Sequence, residues 1–229
     1  MYLFVFYPGN KKGIKMRKLL CAAVIFISAV NIYSQDFSVQ GSGGVIIPMS
    51  SSKGLSANAQ FNYLYSNNIV FYIGSGYSAW DKYNATFKEE LSVVQTREYF
   101  TTWLADDHVL IPVNAGCRVN LHTNKIFTSF ISVETGYSYL KYYSYQTRKE
   151  INPNTGEVTG YFPDSRTKKQ ESENLFSIGI GAGISHPVTK KVNLILAFKI
   201  NSCINSHYHG FFSSRGTHTM FQLGVDYSI

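Results

Sequence analysis

The chain has 229 residues, 21 of them basic and 14 acidic, for a net charge of +7. Five basic and no acidic residues fall within the first 34 positions, so the rest carries 16 against 14, a net +2. That balance excludes the basic surface that nucleic-acid binding requires. The 17 Tyr and 16 Phe exceed what a soluble core of this length ordinarily calls for.

Lys11, Lys12, Lys15, Arg17 and Lys18 precede an apolar run over residues 19–32, and Ser34 offers a small residue before Gln35. This is the order of a secretory signal peptide. The run is shorter than the roughly 20 residues a membrane-spanning helix needs. Residues 1–34 are therefore expected to be a signal peptide, with Met16 as an alternative start, and residues 35–229 a single domain. An exported chain is permitted disulfides.

Eight strand-like runs follow. The first, residues 37–48, is broken by glycines but keeps Phe37, Val39, Val45 and Ile47 in phase. The second, 55–66, alternates Leu55, Ala57, Ala59, Phe61, Tyr63 and Tyr65 with mostly polar residues, as a strand with two unlike faces must. Asn67-Asn68 predicts a tight turn through left-handed asparagine. The third run, 69–80, sets Ile69, Phe71, Ile73 and Tyr77 against Gly74, Gly76 and Ser78. A long polar connection spans 81–107.

The fourth run, 108–121, carries Val109, Ile111, Val113, Ala115, Cys117, Val119 and Leu121 on one series, and the fifth, 126–140, carries Phe127, Ile131, Val133, Tyr137 and Tyr139. A second long connection, 141–174, contains Asn152-Pro153-Asn154-Thr155-Gly156. The sixth run, 175–186, alternates Phe176, Ile178, Ile180, Ala182 and Ile184 with Ser and Gly. The seventh covers 192–202. The closing run, from Thr219, reads Thr219, Phe221, Leu223, Val225, Tyr227 and Ile229 on its apolar side. From the second run onward, short turns join runs two–three, four–five and six–seven, and longer connections fall between. This asymmetry predicts an eight-stranded antiparallel transmembrane β-barrel with both ends in the periplasm.

Charge placement separates lipid outside from core inside. The strand interiors hold Arg118, Glu134, Lys199 and Asp226, all on the polar, glycine-rich series. A soluble barrel would carry its charges on the outward series, whereas a Lys or Arg on a lipid face at mid-bilayer costs about 2–4 kcal/mol. The apolar series therefore faces lipid, and Tyr63, Tyr65, Tyr77, Tyr137, Tyr139 and Tyr227 stand where interfacial aromatic girdles sit. The same phase sets Cys117 toward lipid near a short turn and Cys203 at the other end in phase with Lys199, too far apart to bridge.

With the hairpins laid out, the chain resembles the PorT-like small outer-membrane barrels of Bacteroidetes-like bacteria. The residues that carry the resemblance are the leader ending in Ser34-Gln35, the run His108-Val109-Leu110-Ile111-Pro112-Val113, the glycine-alternating sixth run, and Leu223-Gly224-Val225-Asp226-Tyr227. The resemblance implies an outer-membrane location and a barrel fold, and it carries no catalytic residues.

Four sets of residues are candidates for function. Arg118, Glu134, Lys199 and Asp226 are expected to form two layers of ion pairs plugging a narrow lumen, Arg118 and Asp226 at one level and Glu134 and Lys199 at the other, with strand stagger leaving the exact pairing open; a gated ion path is the alternative. His207 and His209, with His218 nearby, form the one metal-like cluster, without a carboxylate or thiolate to complete it. Ser206-His207 and Ser213-Ser214 beside His218 echo a lipid-modifying hydrolase but lack an acid partner other than Asp226. Trp103, Tyr142, Tyr143 and Tyr145 sit in the long connections, either as a binding surface or as strands continuing above the membrane. The expectation is a non-enzymatic barrel with no cofactor, with a structural or interaction role exerted through its outer connections. Its expected partners are outer-membrane lipid, the barrel-assembly machinery through the closing strand, and an extracellular or periplasmic protein. An adhesin, a lipid-modifying enzyme and a narrow pore are the alternatives.

Overall fold

The computed structural model describes residues 37–90, 97–123, 126–205 and 216–229. The expected signal peptide, Ser206, His207, His209, Ser213 and Ser214 lie outside the described residues. The described chain forms β1 (Phe37–Pro48), β2 (Gly54–Ser66), β3 (Ile69–Trp80), β4 (Tyr83–Glu90), β5 (Arg97–Thr123), β6 (Thr128–Ile151), β7 (Val158–Pro187), β8 (Val192–Cys203) and β9 (His218–Ser228).

Eight of these nine strands close a ring. Neighbours run β3-β2-β1-β9-β8-β7-β6-β5, and a β3–β5 pairing completes the circle. The first and last barrel strands meet in unbroken antiparallel register from Ser38↔Ser228 to Pro48↔His218, so no edge is left in the membrane-spanning part. The remaining strand, β4, pairs with β5 alone and stands outside the ring.

The long connections are where the structure departs most from the sequence reading. Residues 81–107 and 141–174 are mostly strand: β5, β6 and β7 run on for 27, 24 and 30 residues. A transmembrane strand needs only about 9–11, so two β ribbons, β4–β5 and β6–β7, rise well beyond the barrel. The polar composition of these segments fits strands that stand outside the lipid.

The barrel gives way to the ribbons at two irregularities. Asp107 adopts φ 51° at a β5 bulge between Asp106 and Val109, and the β6–β7 register shifts between Ser144 and Gln146. A bulge exchanges inward for outward positions, so the phase of the fourth run cannot be extended past Asp107. The Asn67-Asn68 turn also differs from expectation: among the described residues the left-handed non-glycine positions are Ser50 and Asp107. That turn is instead closed by the Ser66 hydroxyl, which accepts the Asn68 and Ile69 amides at 3.4 and 3.2 Å.

The outward series is apolar and uncovered. Phe71, Ile73, Val113, Ile131, Val133, Ile178, Ile180, Leu196 and Leu223 are each between 46 % and 58 % exposed, while their sequence neighbours are turned inward. All six tyrosines assigned to the girdle are outward and at least 39 % exposed.

Candidate functional site

The lumen is where the side chains of all eight ring strands converge, and large and small residues alternate around it. One hydrogen-bonded row reads Tyr72, Gly116, Glu134, Gly179, Asn201, His218 from β3 to β9. The glycines are sterically required. A Cβ on Gly116 would lie 2.5 Å from the Tyr72 ring, and one on Gly179 would lie 1.8 Å from the Asn201 amide oxygen. Small residues thus admit large ones opposite, the usual way a narrow barrel fills itself.

Glu134 is the centre of this row. It is buried, and its carboxylate accepts the Lys199 ammonium at 2.7 Å, the Tyr72 hydroxyl at 2.8 Å and the Asn114 amide at 3.2 Å. Four strands, β3, β5, β6 and β8, are therefore tied through one carboxylate. The expected Glu134–Lys199 pair is present. Arg118 and Asp226, placed at one level by the sequence, do not form an ion pair. Asp226 instead accepts the Asn62 amide at 3.0 Å, and the Arg118 guanidinium lies 5.1 Å from the Phe130 ring centroid. Level along the barrel axis was the only basis for pairing them, and Asn62 reaches Asp226 from the adjoining wall.

Two small voids of mixed lining flank the Tyr72–Lys199 contact. One, of about 30 Å³, is lined by Asn58, Gln60, Asn114, Glu134 and Gln222 among others. The other, of about 20 Å³, is lined by Gln40, Arg118, Phe130 and Ser132. Each has room for one or two waters, which need about 10–15 Å³ apiece.

Toward the ribbons the lumen turns apolar, which the sequence reading missed. Ile46, Leu110, Leu140, Leu175 and Met220 are buried there with Trp80. The His108 ring lies between two others, 5.1 Å from Trp80 and 5.4 Å from Tyr142, with interplanar angles of 9° and 17°. Its Nδ1 donates to the Asp81 carbonyl at 2.7 Å. The signal in the sequence was phase: Ile46, His108, Leu110 and Leu140 all fall on the inward series near its outer end.

Tyr142 is accordingly not a loop residue open to a ligand. It is buried in this plug, and its hydroxyl donates to Glu173 at 2.6 Å. Trp103, Tyr143 and Tyr145 are half-buried on the ribbons. Trp103 meets Tyr145 edge-on at 4.8 Å, and the Tyr145 hydroxyl donates to Asp106 at 2.9 Å. His218 is buried in the lumen wall, with Nδ1 donating to the Gly216 carbonyl at 2.6 Å and Nε2 lying 3.5 Å from the Asn201 amide. Among the described residues no three metal-binding side chains cluster. Cys117 and Cys203 are not joined in a disulfide; the first lies on the outer wall and the second in the plug.

Comparison with solved structures agrees with the closed ring of eight strands. Neisserial surface protein A matches with a TM-score of 0.52 at 15 % identity, over 84 % of this chain and 97 % of that one. The fold is that of an eight-stranded outer-membrane barrel. A major outer membrane protein of Thermus thermophilus (TM-score 0.48, 9 % identity, 83 % of this chain and 98 % of that one) and Ail of Yersinia pestis (0.43, 13 %, 84 % and 95 %) also match. No family model and no curated protein matches the chain.

Proposed function

We propose that the chain is a PorT-like barrel of Bacteroidetes-like bacteria whose work is done by its ribbons, the barrel serving as a sealed membrane mount. The observation that carries this reading is the filled lumen. A buried four-strand carboxylate tie lies beneath an apolar plug, so the interior is spent on holding the wall together. Two ribbons braced against each other outside the membrane offer rigid surface to an extracellular partner. The closing β9 strand is the element that barrel-assembly machinery would engage, and outer-membrane lipid surrounds the wall.

This reading includes no catalysis. It is supported by His218, which is buried with its two ring nitrogens turned to Gly216 and Asn201. Lipid analysis of outer membranes with and without expression of the chain should show identical glycolipid species; a modified species would contradict it. Planar-bilayer recording of the purified barrel tests the seal. No stable conductance is expected, and a reproducible single-channel step would overturn the reading.

A further inference from the structure

Above Ala105, β5 keeps one neighbour and loses the other. Ala105 pairs with Ser144 of β6, and beyond it no described strand pairs with that side of β5. β4 holds the opposite side in unbroken register from Asn84↔Trp103 to Glu90↔Arg97. The direction of the backbone groups follows from β4. The Asn84 amide donates away from β5, to the Ser50 carbonyl at 2.7 Å. Residues opposite each other in an antiparallel pair either exchange both hydrogen bonds or both turn their N–H and C=O groups away. Asn84↔Trp103 is therefore of the second kind, and by alternation so are Thr86↔Thr101 and Lys88↔Tyr99. Tyr99, Thr101 and Trp103 thus aim their backbone donors and acceptors at the open edge of β5.

The other ribbon edges are blunted. β4 carries Lys88, Glu89 and Glu90, and β6 carries Arg148, Lys149 and Glu150. β7 contains Pro163 and is clasped by the Asn205 side chain, which bonds to the Asn174 carbonyl at 3.0 Å and the Phe176 amide at 2.6 Å. Charge, proline and cover are how sheets prevent pairing along an edge. On β5 the run Tyr99-Phe100-Thr101-Thr102-Trp103-Leu104 has none of them. It is rich in aromatic and β-branched residues, and Tyr99 is 65 % exposed. We infer that this edge takes up an extended segment of an extracellular protein as an added strand. The inference rests on the reading of the ribbons as the interacting part, and it names the place and the chemistry. The segment alternates. On the side of Phe100 it extends the apolar layer in which Phe87 and Phe100 meet Tyr161, so its residues there are apolar. On the side of Tyr99 and Thr101, both exposed, its residues are polar. A second copy suits the edge poorly. Barrels in one membrane run their β5 strands the same way, whereas identical edges related by a two-fold pair antiparallel.

The test uses the full chain in phosphatidylcholine nanodiscs and short random peptides displayed on phage. Thr101→Pro removes an N–H from the open edge and leaves the β4 ladder whole, whereas Thr101→Val leaves the edge intact. Selected peptides should alternate apolar with polar residues and bind Thr101→Val as they bind the unaltered chain. For Thr101→Pro their affinity should fall about tenfold or more, the consequence of a backbone group left unpaired. Failure to select any peptide, or equal binding to Thr101→Pro, overturns the inference. So does a dimer of the unaltered chain that Thr101→Pro makes monomeric, since the edge would then belong to a second copy. Should Thr101→Pro disturb the ribbon, amide hydrogen exchange of the unaltered chain decides. The Tyr99, Thr101 and Trp103 amides should exchange fast in the free chain and slowly with peptide bound, while β4 protects Phe100 and Thr102 in both. Slow exchange at Thr101 in the free chain, or no slowing with peptide, overturns the inference. The ribbon faces would then be left to carry the interaction. That broader reading fails separately if a chain lacking residues 84–103 and 146–164 keeps the adhesion that expressing cells show.

Discussion

Glu134 and Arg118 show how differently two buried charges can be held in one lumen. Glu134 has an ammonium, a phenol and an amide aimed at it, so removing Lys199 strands a carboxylate away from water. Lys199→Met should therefore cost about 3–5 kcal/mol of unfolding free energy, the usual consequence of breaking one side of a buried pair. Arg118 lies over Phe130, and its Nε has no hydrogen-bond partner. Arg118→Met should cost less, because it breaks no ion pair like that of Lys199 with Glu134, and the buried Asp226 carboxylate keeps its hydrogen bond from Asn62. Urea unfolding of both variants in the same micelle reads the difference; equal costs would count against the assignment of Glu134 as the central tie. Phase alone put Glu134 and Lys199 on one face and in reach of each other. The same logic failed for Arg118 and Asp226, because alternation reveals which way a side chain points and is silent about a competitor such as Asn62.

The ribbons belong to the scale of elements. Phe87 and Phe100 are cross-strand partners on β4–β5, and Tyr161 of β6–β7 stacks on Phe87 at 4.3 Å. Beside this joint Glu89 accepts the Tyr161 hydroxyl and pairs with Lys149 at 2.9 Å. The Tyr161 hydrogen bond first, then the Lys149 ammonium, hold the Glu89 carboxyl below its usual range, and Glu89 holds the Lys149 amine above its own. A depressed acid stabilises the joint above its unfolded pKa of about 4.3, and that contribution is lost as pH falls through the folded value. A raised amine stabilises fully below its unfolded pKa of about 10.4 and loses its contribution as pH rises through the folded value. Spin labels on Lys88 and Arg148 should thus report a narrow inter-ribbon distance at pH 7 that broadens at pH 3. In Glu89→Gln that change with pH should vanish.

Deleting residues 146–164 removes only ribbon beyond the shift that ends barrel register, so heat-modifiable migration should be unchanged. A cut that includes Tyr142 should destabilise the barrel, because that ring belongs to the plug. The barrel strands were legible because lipid on one side and lumen on the other impose period two, and β1 and β3 begin and end where the alternation does. The ribbons were not. Segments such as Thr86-Phe87-Lys88-Glu89 have water on one face and another ribbon on the other, which leaves no strict polarity pattern to read.

At the scale of the whole molecule, one face decides everything: an apolar belt that would be intolerable in water and that lipid accepts. It was legible from the absence of charge on one series. The plug was not, since its apolar residues share the inward series with the glycines and serines that suggested a wholly polar lumen. The most direct test compares two single-indole barrels in bilayers of phosphatidylcholine brominated at mid-chain. One carries Ile180→Trp with Trp80→Phe and Trp103→Phe; the other keeps Trp80 and carries Trp103→Phe. Strong quenching of the indole at position 180 with little quenching of Trp80 is the expected result. Quenching of Trp80 with sparing of position 180 would mean that the greasy rows point inward, and would contradict the account.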